Sequence, residues 1–223
     1  MKTSLLIKQL FGTILFFGII FISAGRINYW QGIIYAAIGL IMIALNYTIL
    51  RIDPELMKER SAPAKDSKKW DKLILGLSFL MTLAMFVIAG LDSGRFHWSD
   101  DFGLGLVIPG IVFTAVGQLL FLVAQKQNKF FSSTVRIQTD RGHVVYEGGL
   151  YRIVRHPAYM GSMIQLIGFP LLFGSVWSTI PVLLSLILLL MRTYLEDKTL
   201  KEELSGYADY TMKTRFRIIP YIW

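Results

Sequence analysis

The chain contains no cysteine among its 223 residues, and only three residues are histidines. The absence of cysteine excludes disulfide bonds and thiol catalysis. His97, His143 and His156 do not have the spacing of a zinc site, so we predict that no metal is bound. The sequence also lacks internal repeats, low-complexity tracts and a glycine-rich dinucleotide fingerprint after a strand.

Charged residues are scarce as well. They make up 17% of the chain, whereas an average soluble domain has about 25%. Hydrophobic residues reach 54%, and the mean hydropathy is +0.52. A water-soluble fold of this size would have too little polar surface to cover its core. The net charge is +8, and the lysines and arginines lie between long apolar runs. This distribution favours an anionic membrane over a nucleic acid as the partner.

The apolar runs predict a multi-pass, all-α integral membrane protein. A helix needs about 20 mostly apolar residues to cross a bilayer. Four stretches meet this requirement, and they cover residues 5–24, 30–50, 73–91 and 102–124. We interpret the first as a retained span, because no convincing cleavage site follows it and similar segments recur downstream.

A fifth apolar stretch, residues 160–191, is too long for one crossing. It contains Pro170, Gly174 and Pro181 around a polar segment, and such residues break helices and form turns. The sequence therefore predicts a hairpin of two helices. The hairpin matters for function, because it would return Arg192 to the membrane face that carries His156.

Basic residues indicate the orientation. All lysines and arginines except Arg26 and Arg95 would flank a single face, and basic residues accumulate on the cytoplasmic side. We therefore expect both termini and the polar segments in the cytoplasm. Residues 1–129 would form the N-terminal transmembrane helices, and residues 130–223 a region with a cytoplasmic cap. We predict that the loop 51–71 is a solvated connection near anionic headgroups, with Pro54 opening a short surface helix.

Polar residues form two blocks on the cytoplasmic face, at 130–161 and 192–223. Arg192 and Glu196 are four residues apart, so they project from one side of a helix. By itself this spacing is explained if the two side chains form an ion pair on the protein surface. His156 alone is explained as a structural residue before proline, and the nearby tyrosines as an interfacial aromatic belt.

The combination of motifs is more specific than any of its parts. In chain order it consists of Gly149-Leu150-Tyr151-Arg152, then Arg155-His156-Pro157-Ala158-Tyr159-Met160-Gly161, an apolar hairpin, Arg192 with Glu196-Asp197, and finally Tyr207, Tyr210, Arg217 and Pro220. This order closely resembles the isoprenylcysteine carboxyl methyltransferase family, and membrane phospholipid N-methyltransferases share much of it. Residues 135–143 look most like the bacterial branch of that family, so we expect a bacterial inner membrane.

The resemblance implies a cytoplasmic cap that binds S-adenosyl-L-methionine. By similarity, the cofactor-binding residues are Gln138, His143, Val144, Val145, Tyr146, Tyr151, His156, Pro157, Ala158, Tyr159 and Glu196. Arg192 matches the family arginine that faces the substrate carboxylate, and Glu196 would close the pocket beside it as a second catalytic residue. The acidic pair is Glu-Asp here, so the resemblance assigns no role to Asp197. A lipophilic or lipidated acid would enter from the bilayer, surrounded by membrane lipids.

Other functions remain open at this stage. A phospholipid amine could be the acceptor, with Glu196 or His156 accepting its proton. The protein could also be an NADPH-dependent membrane sterol reductase, because some of these enzymes resemble the methyltransferase family over the C-terminal half. A membrane scaffold or small transporter would use the polar blocks as a headgroup platform, although transporters usually place ionisable groups at mid-membrane. The sequence leaves the oligomeric state and the choice between acid, amine and thiol acceptors open.

Overall fold

A computed structural model describes residues 2–61 and 67–223, and its regular structure over these residues is helical. The α-helices are α1 (Lys2–Ala24), α2 (Trp30–Leu45), α3 (Pro54–Ser61), α4 (Lys69–Ala89), α5 (Gly103–Gln127), α6 (Pro157–Phe173), α7 (Thr179–Glu203) and α8 (Tyr207–Lys213). Helices α2 and α4 continue as π-helical turns, Asn46–Leu50 and Gly90–Phe96. The prediction of an all-α protein is confirmed.

Four helices are long and apolar enough to cross a membrane, and they cover Trp30–Leu50, Lys69–Phe96, Gly103–Gln127 and Thr179–Glu203. Two shorter apolar helices, Leu10–Ala24 and Pro157–Phe173, accompany them. These six segments correspond to the four predicted spans and the two arms of the predicted hairpin. The chain is therefore a multi-pass membrane protein, as its composition predicted.

The final apolar stretch doubles back at Gly174, whose φ of +61° is favourable for glycine. Ser175 and Ser178 of this turn are buried, whereas Val176 and Trp177 are exposed. Asp92, in the π-helical turn that continues α4, accepts hydrogen bonds from Ser175 Oγ at 2.6 Å and from the Trp177 amide at 3.4 Å. Ser99 Oγ accepts from the Val176 amide at 2.9 Å. Asp92 and Ser99 thus satisfy polar groups of the turn that would otherwise lack hydrogen bonds.

Helices α5 and α6 pack backbone to backbone through glycines at matching heights, Gly110 and Gly117 on α5 against Gly168 and Gly161 on α6. A Cβ atom added at Gly117 would lie 2.5 Å from the carbonyl oxygen of Gly161. Small residues permit such close approach of membrane helices. The cap, residues 128–156, connects this tightly joined pair, so both of its ends are fixed in position.

The described part of the loop 51–71 packs onto the cap, and the prediction of a solvated connection is wrong there. Ile52 and Leu56 are buried, and Glu59 pairs with Arg136 of the cap at 2.7 Å. Residues 62–66 lie outside the described residues. The short helix that Pro54 was expected to open is present as α3. Helix α3 therefore serves as a lateral support of the cap.

Candidate active site

A cavity of about 320 Å³ lies between the cap, α3 and the polar end of α7. Every residue that the sequence singled out for a site lines this cavity. They are Gln138, His143, Val144, Val145, Tyr146, Tyr151, His156, Pro157, Ala158, Tyr159, Arg192 and Glu196. The hairpin is what brings the last two of these next to the segment around His156.

One wall is built where α6 begins. Pro157 occupies the first turn of the helix, which suits its missing amide hydrogen, and His156 precedes it. The His156 ring stacks on Tyr159 with an interplanar angle of 6° and a centroid distance of 5.6 Å. The Tyr159 hydroxyl donates to Glu196 at 2.5 Å. A flat aromatic surface and a carboxylate thus face the same space.

Asp197 has a structural position and does not line the cavity. It is 1% exposed and accepts hydrogen bonds from Arg155 at 2.7 and 3.0 Å, from Arg217 at 3.0 Å and from the Tyr207 hydroxyl at 3.1 Å. These contacts join α7 to the cap, to α8 and to the C-terminal tail. The two neighbouring acids therefore differ in use, since Glu196 faces the cavity and Asp197 holds its frame together.

Arg192 is anchored on both sides of its guanidinium. Nε donates to Asp71 Oδ1 at 2.7 Å, and Nη2 donates to the Ser133 carbonyl oxygen at 2.9 Å. The guanidinium carbon lies 5.4 Å from the centre of the Tyr159 ring. Asp71 is fully buried and also accepts from the Val135 amide at 2.8 Å. The sequence did not indicate this carboxylate as part of the site, because it belongs to the loop that was expected to be solvated.

The opposite wall is held by Gln138, which is 1% exposed. Its Nε2 donates to the Phe130 carbonyl oxygen at 2.6 Å, and its Oε1 accepts from Arg141 at 2.6 Å. The backbone N–H of Gln138 donates to Nδ1 of His143 at 3.3 Å. Burial, with Arg136 and Arg141 nearby, lowers the pKa of His143 to about 4. His143 is therefore neutral at pH 7 and can act as an acceptor.

Tyrosines close the cavity from the direction of α8. Tyr151, Tyr207 and Tyr210 are buried, so they do not form an interfacial aromatic belt. Tyr210 donates to the Tyr151 carbonyl oxygen at 2.6 Å. Burial raises the pKa of all three phenols, which remain neutral. They therefore supply apolar ring surface, while their hydroxyl groups donate within the protein to the Ala124 carbonyl oxygen, Asp197 and the Tyr151 carbonyl oxygen.

Further cavity residues were not indicated by the sequence pattern. They include Arg60 from α3 and Phe121 from α5, together with Asn128, Phe130, Phe131, Ser133 and Thr134 from the cap. Thr134 Oγ1 is buried and has no hydrogen-bond partner among the described residues. The cap residues among them belong to irregular segments, where hydrophobic periodicity gives no signal. Across residues 2–61 and 67–223, no group of three or more acidic or histidine side chains could hold a metal ion.

Comparison with known proteins agrees with the motifs. Residues 108–202 match the model of the isoprenylcysteine carboxyl methyltransferase family. Protein-S-isoprenylcysteine O-methyltransferase of Schizosaccharomyces pombe is 36% identical to the chain over 77 residues, which are 34% of this chain and 32% of that protein. The match thus spans about a third of each protein. Over residues 108–202, the chain is similar in sequence to the isoprenylcysteine carboxyl methyltransferase family, as its motifs predicted.

Proposed function

We propose that the protein is a membrane methyltransferase that uses S-adenosyl-L-methionine to esterify the carboxylate of a lipophilic acid. One observation carries the proposal. The residues that family resemblance assigns to the cofactor and the arginine that it assigns to the acceptor line a single cavity at the polar end of the helices. The sequence match over residues 108–202 supports the same chemistry.

The residues present fit the cofactor. S-adenosyl-L-methionine carries a sulfonium, an ammonium, a carboxylate and a flat adenine ring. Glu196 offers negative charge, and the stacked pair of His156 and Tyr159 offers a flat surface. The neutral His143 offers hydrogen-bonding atoms, and so does the Thr134 hydroxyl, which has no partner in the part of the chain that the structure describes. A volume of about 320 Å³ lies at the lower end of the range for small-molecule sites.

When bound, the cofactor supplies an activated methyl group on its sulfonium. A carboxylate acceptor has a reference pKa of about 3.5 and is already ionised at pH 7, so the site needs no general base. Its task is alignment. Arg192 is suited to hold the carboxylate through its remaining donors, because Asp71 and Ser133 fix the plane of the guanidinium beforehand.

A cavity among the membrane helices adjoins this site and is suited to the apolar part of a lipophilic acceptor. A second cavity of about 520 Å³ lies among the membrane helices α1, α2, α4, α5 and α6. It is lined mainly by apolar residues, and Phe121 lines both cavities. An acyl or prenyl chain in the second cavity would direct its head group past Phe121 towards Arg192. The head group would then meet the cofactor, which enters from the cytoplasm.

Charge distinguishes the acid acceptor from the amine acceptor. An amine must lose a proton before it attacks, and Glu196 already accepts a hydrogen bond from Tyr159. Arg60 and Arg192 are two of the four arginines that line this cavity, and their guanidinium charges would repel an ammonium. A carboxylate is the better match for this environment. A scaffold or small transporter would not explain why the cofactor-type residues converge at one end of the helices.

The test is methyl transfer in membranes that contain the protein. Membranes are incubated with methyl-labelled S-adenosyl-L-methionine and N-acetyl-S-farnesylcysteine, and the product is then treated with base. We expect label to be released as volatile methanol, and we expect much less from membranes that contain Arg192→Ala. A base-stable label would indicate an amine product and contradict the ester. Failure of the wild-type protein to bind S-adenosylhomocysteine would contradict methyl transfer altogether.

A further inference from the structure

Arg60 is a cationic side chain of the cavity wall that neither the family match nor the motifs assign. It comes from α3, outside residues 108–202. Its guanidinium carbon lies 4.7 Å from the centre of the Phe131 ring and 5.6 Å from that of Phe121. Its Nη1 is 3.5 Å from the Ser132 carbonyl oxygen. Aromatic rings and one carbonyl therefore orient the group towards the cavity.

The charge of Arg60 is not balanced by the described part of the protein. Arg192 has Asp71 at 2.7 Å, and Arg136 has Glu59 at 2.7 Å, but no ion pair involves Arg60 among residues 2–61 and 67–223. Burial and the nearby Arg192 lower the pKa of Arg60 to about 10, so the group stays charged at pH 7. Arg60 is partly buried, and a partly buried cation without a counter-ion is costly unless a ligand supplies the negative charge.

The location of Arg60 indicates which ligand this is. Its guanidinium lies over the Phe121 ring. Phe121 lines both the cavity of the candidate active site and the cavity among the membrane helices. Glu196, the group suited to the positive charges of the cofactor, contacts Tyr159 on another wall. An anion beside Arg60 would therefore sit at the junction through which the head group of a lipophilic acceptor passes.

We propose that Arg60 binds the carboxylate of the lipophilic acceptor at the junction of the two cavities, as a second cation beside Arg192. This inference rests on the proposed function, since it specifies the acceptor side of that site. A guanidinium can donate two parallel hydrogen bonds to one carboxylate. With Arg192 held by Asp71 and Ser133, Arg60 is the cation that gains a counter-ion when the acid binds.

The experiment compares a charged ligand with its uncharged counterpart. N-acetyl-S-farnesylcysteine and its carboxamide are titrated into the detergent-solubilised protein saturated with S-adenosylhomocysteine, so that no turnover occurs. In the wild type we expect the acid to bind more tightly than the amide. In Arg60→Gln we expect the acid to bind about tenfold more weakly, because a charge-assisted hydrogen bond is lost. Affinities for the amide and for S-adenosylhomocysteine should stay within about twofold.

Two further variants complete the design. Arg60→Lys should retain part of the preference for the acid, because it retains the charge. Arg152→Gln removes a cation from an exposed position outside the cavity and should behave like the wild type. Equal loss of acid and amide binding in Arg60→Gln would show a structural role and overturn the inference. Weaker S-adenosylhomocysteine binding would assign Arg60 to the cofactor carboxylate and also overturn it.

The inference and the proposed function can fail separately. A wild-type protein that binds the acid but does not methylate it contradicts the function, while the comparison of acid with amide still decides the role of Arg60. Methylation by the wild type with unchanged acid affinity in Arg60→Gln leaves the function intact and refutes the role of Arg60. Wild-type protein that binds the acid no better than the amide refutes it as well.

Discussion

Oδ1 of Asp71 lies 2.7 Å from Nε of Arg192, and this ion pair joins the first turn of α4 to the polar end of α7. Asp71 is completely buried, and its other oxygen accepts a hydrogen bond from the Val135 amide. One carboxylate thus connects three segments that are far apart in the chain. The position of Arg192 in the cavity depends on a residue outside the segment that matches the family.

Asp71→Asn tests whether this pair positions Arg192. The amide keeps the size of the carboxylate and can still accept from Val135, but it removes the charge that holds Nε. We expect turnover of a lipophilic acid to fall by about tenfold, with S-adenosylhomocysteine affinity within about twofold. Steady-state rates and calorimetric titration measure the two quantities. Asp101→Asn, an exposed carboxylate in the loop before α5, serves as the control. Equal loss of cofactor affinity would contradict a role directed at Arg192.

Glu196→Gln tests the assignment of negative charge to the cofactor. S-adenosyl-L-methionine carries a sulfonium charge that S-adenosylhomocysteine lacks. If Glu196 faces that charge, the variant should lose about tenfold in affinity for the methyl donor and less for the product. Competitive displacement of a bound fluorescent analogue measures both affinities. Tyr159→Phe removes the 2.5 Å hydrogen bond to Glu196 but not the carboxylate, so it should preserve the difference between the two ligands. An equal loss for both ligands in Glu196→Gln would contradict the assignment.

Asp197→Asn should destabilise the whole cap. The carboxylate is 1% exposed and is the counter-ion of Arg155 and Arg217. Removing one partner of a buried ion pair leaves uncompensated charge and costs about 3–5 kcal/mol. We expect a clear fall in the thermal unfolding midpoint, followed by intrinsic fluorescence in detergent. Glu202→Gln, on the same helix with a side chain that is 60% exposed, should be close to neutral. A midpoint for Asp197→Asn like that of the control would refute this structural role.

The neutral state of His143 predicts a dependence of stability on pH. Its pKa in the folded protein is about 4, below the unfolded value of about 6.5. Between these values the unfolded chain binds more protons than the folded one. The contribution to stability is therefore fully present above about pH 6.5 and is lost as the pH falls towards 4. His143→Asn, which can still accept from the Gln138 amide, should weaken the dependence of the unfolding midpoint on pH in this window. An unchanged dependence would show that other groups cause it.

Gly117→Ala should separate α5 from α6. The added methyl group would meet the Gly161 carbonyl oxygen at 2.5 Å, and neither backbone can yield without moving a helix. Overpacking of this kind costs about 1–3 kcal/mol. Gly76→Ala on α4 is the matched control, because no atom lies within 4 Å of its added Cβ. Thermal unfolding of both variants measures the difference, and equal midpoints would show that the close approach is not required.

Much of the architecture could be predicted from the sequence because membrane spans are local features. Length and apolarity alone define the spans, and Gly174 between two prolines indicates the hairpin. The site residues of the second half could be proposed because they occur in ordered motifs. The loop 51–71 could not be interpreted in this way. Its charged residues look solvated when their partners are unknown, and the partner of Asp71 is 121 residues away in the chain.

The close packing of α5 and α6 was also invisible in the sequence. Glycine in a membrane helix is common, and only the facing glycine of the other helix gives it meaning. Gly117 and Gly161 are such a pair, but 44 positions separate them along the chain. The different roles of Glu196 and Asp197 could not be predicted either. Two neighbouring acids on a helix differ only in the direction that each faces, and the sequence does not show what lies in each direction.

The contribution of α3 to the cavity has an evolutionary consequence. Arg60 stands on an eight-residue helix that precedes the family-like segment, whereas the residues suited to the methyl donor lie within or beside that segment. Under the proposed role of Arg60, one part of the acceptor preference would lie on α3, apart from the segment that holds Arg192 and the residues suited to the methyl donor. Exchange of α3 between homologous proteins would be a direct route to chimaeras that keep one donor and accept different lipids.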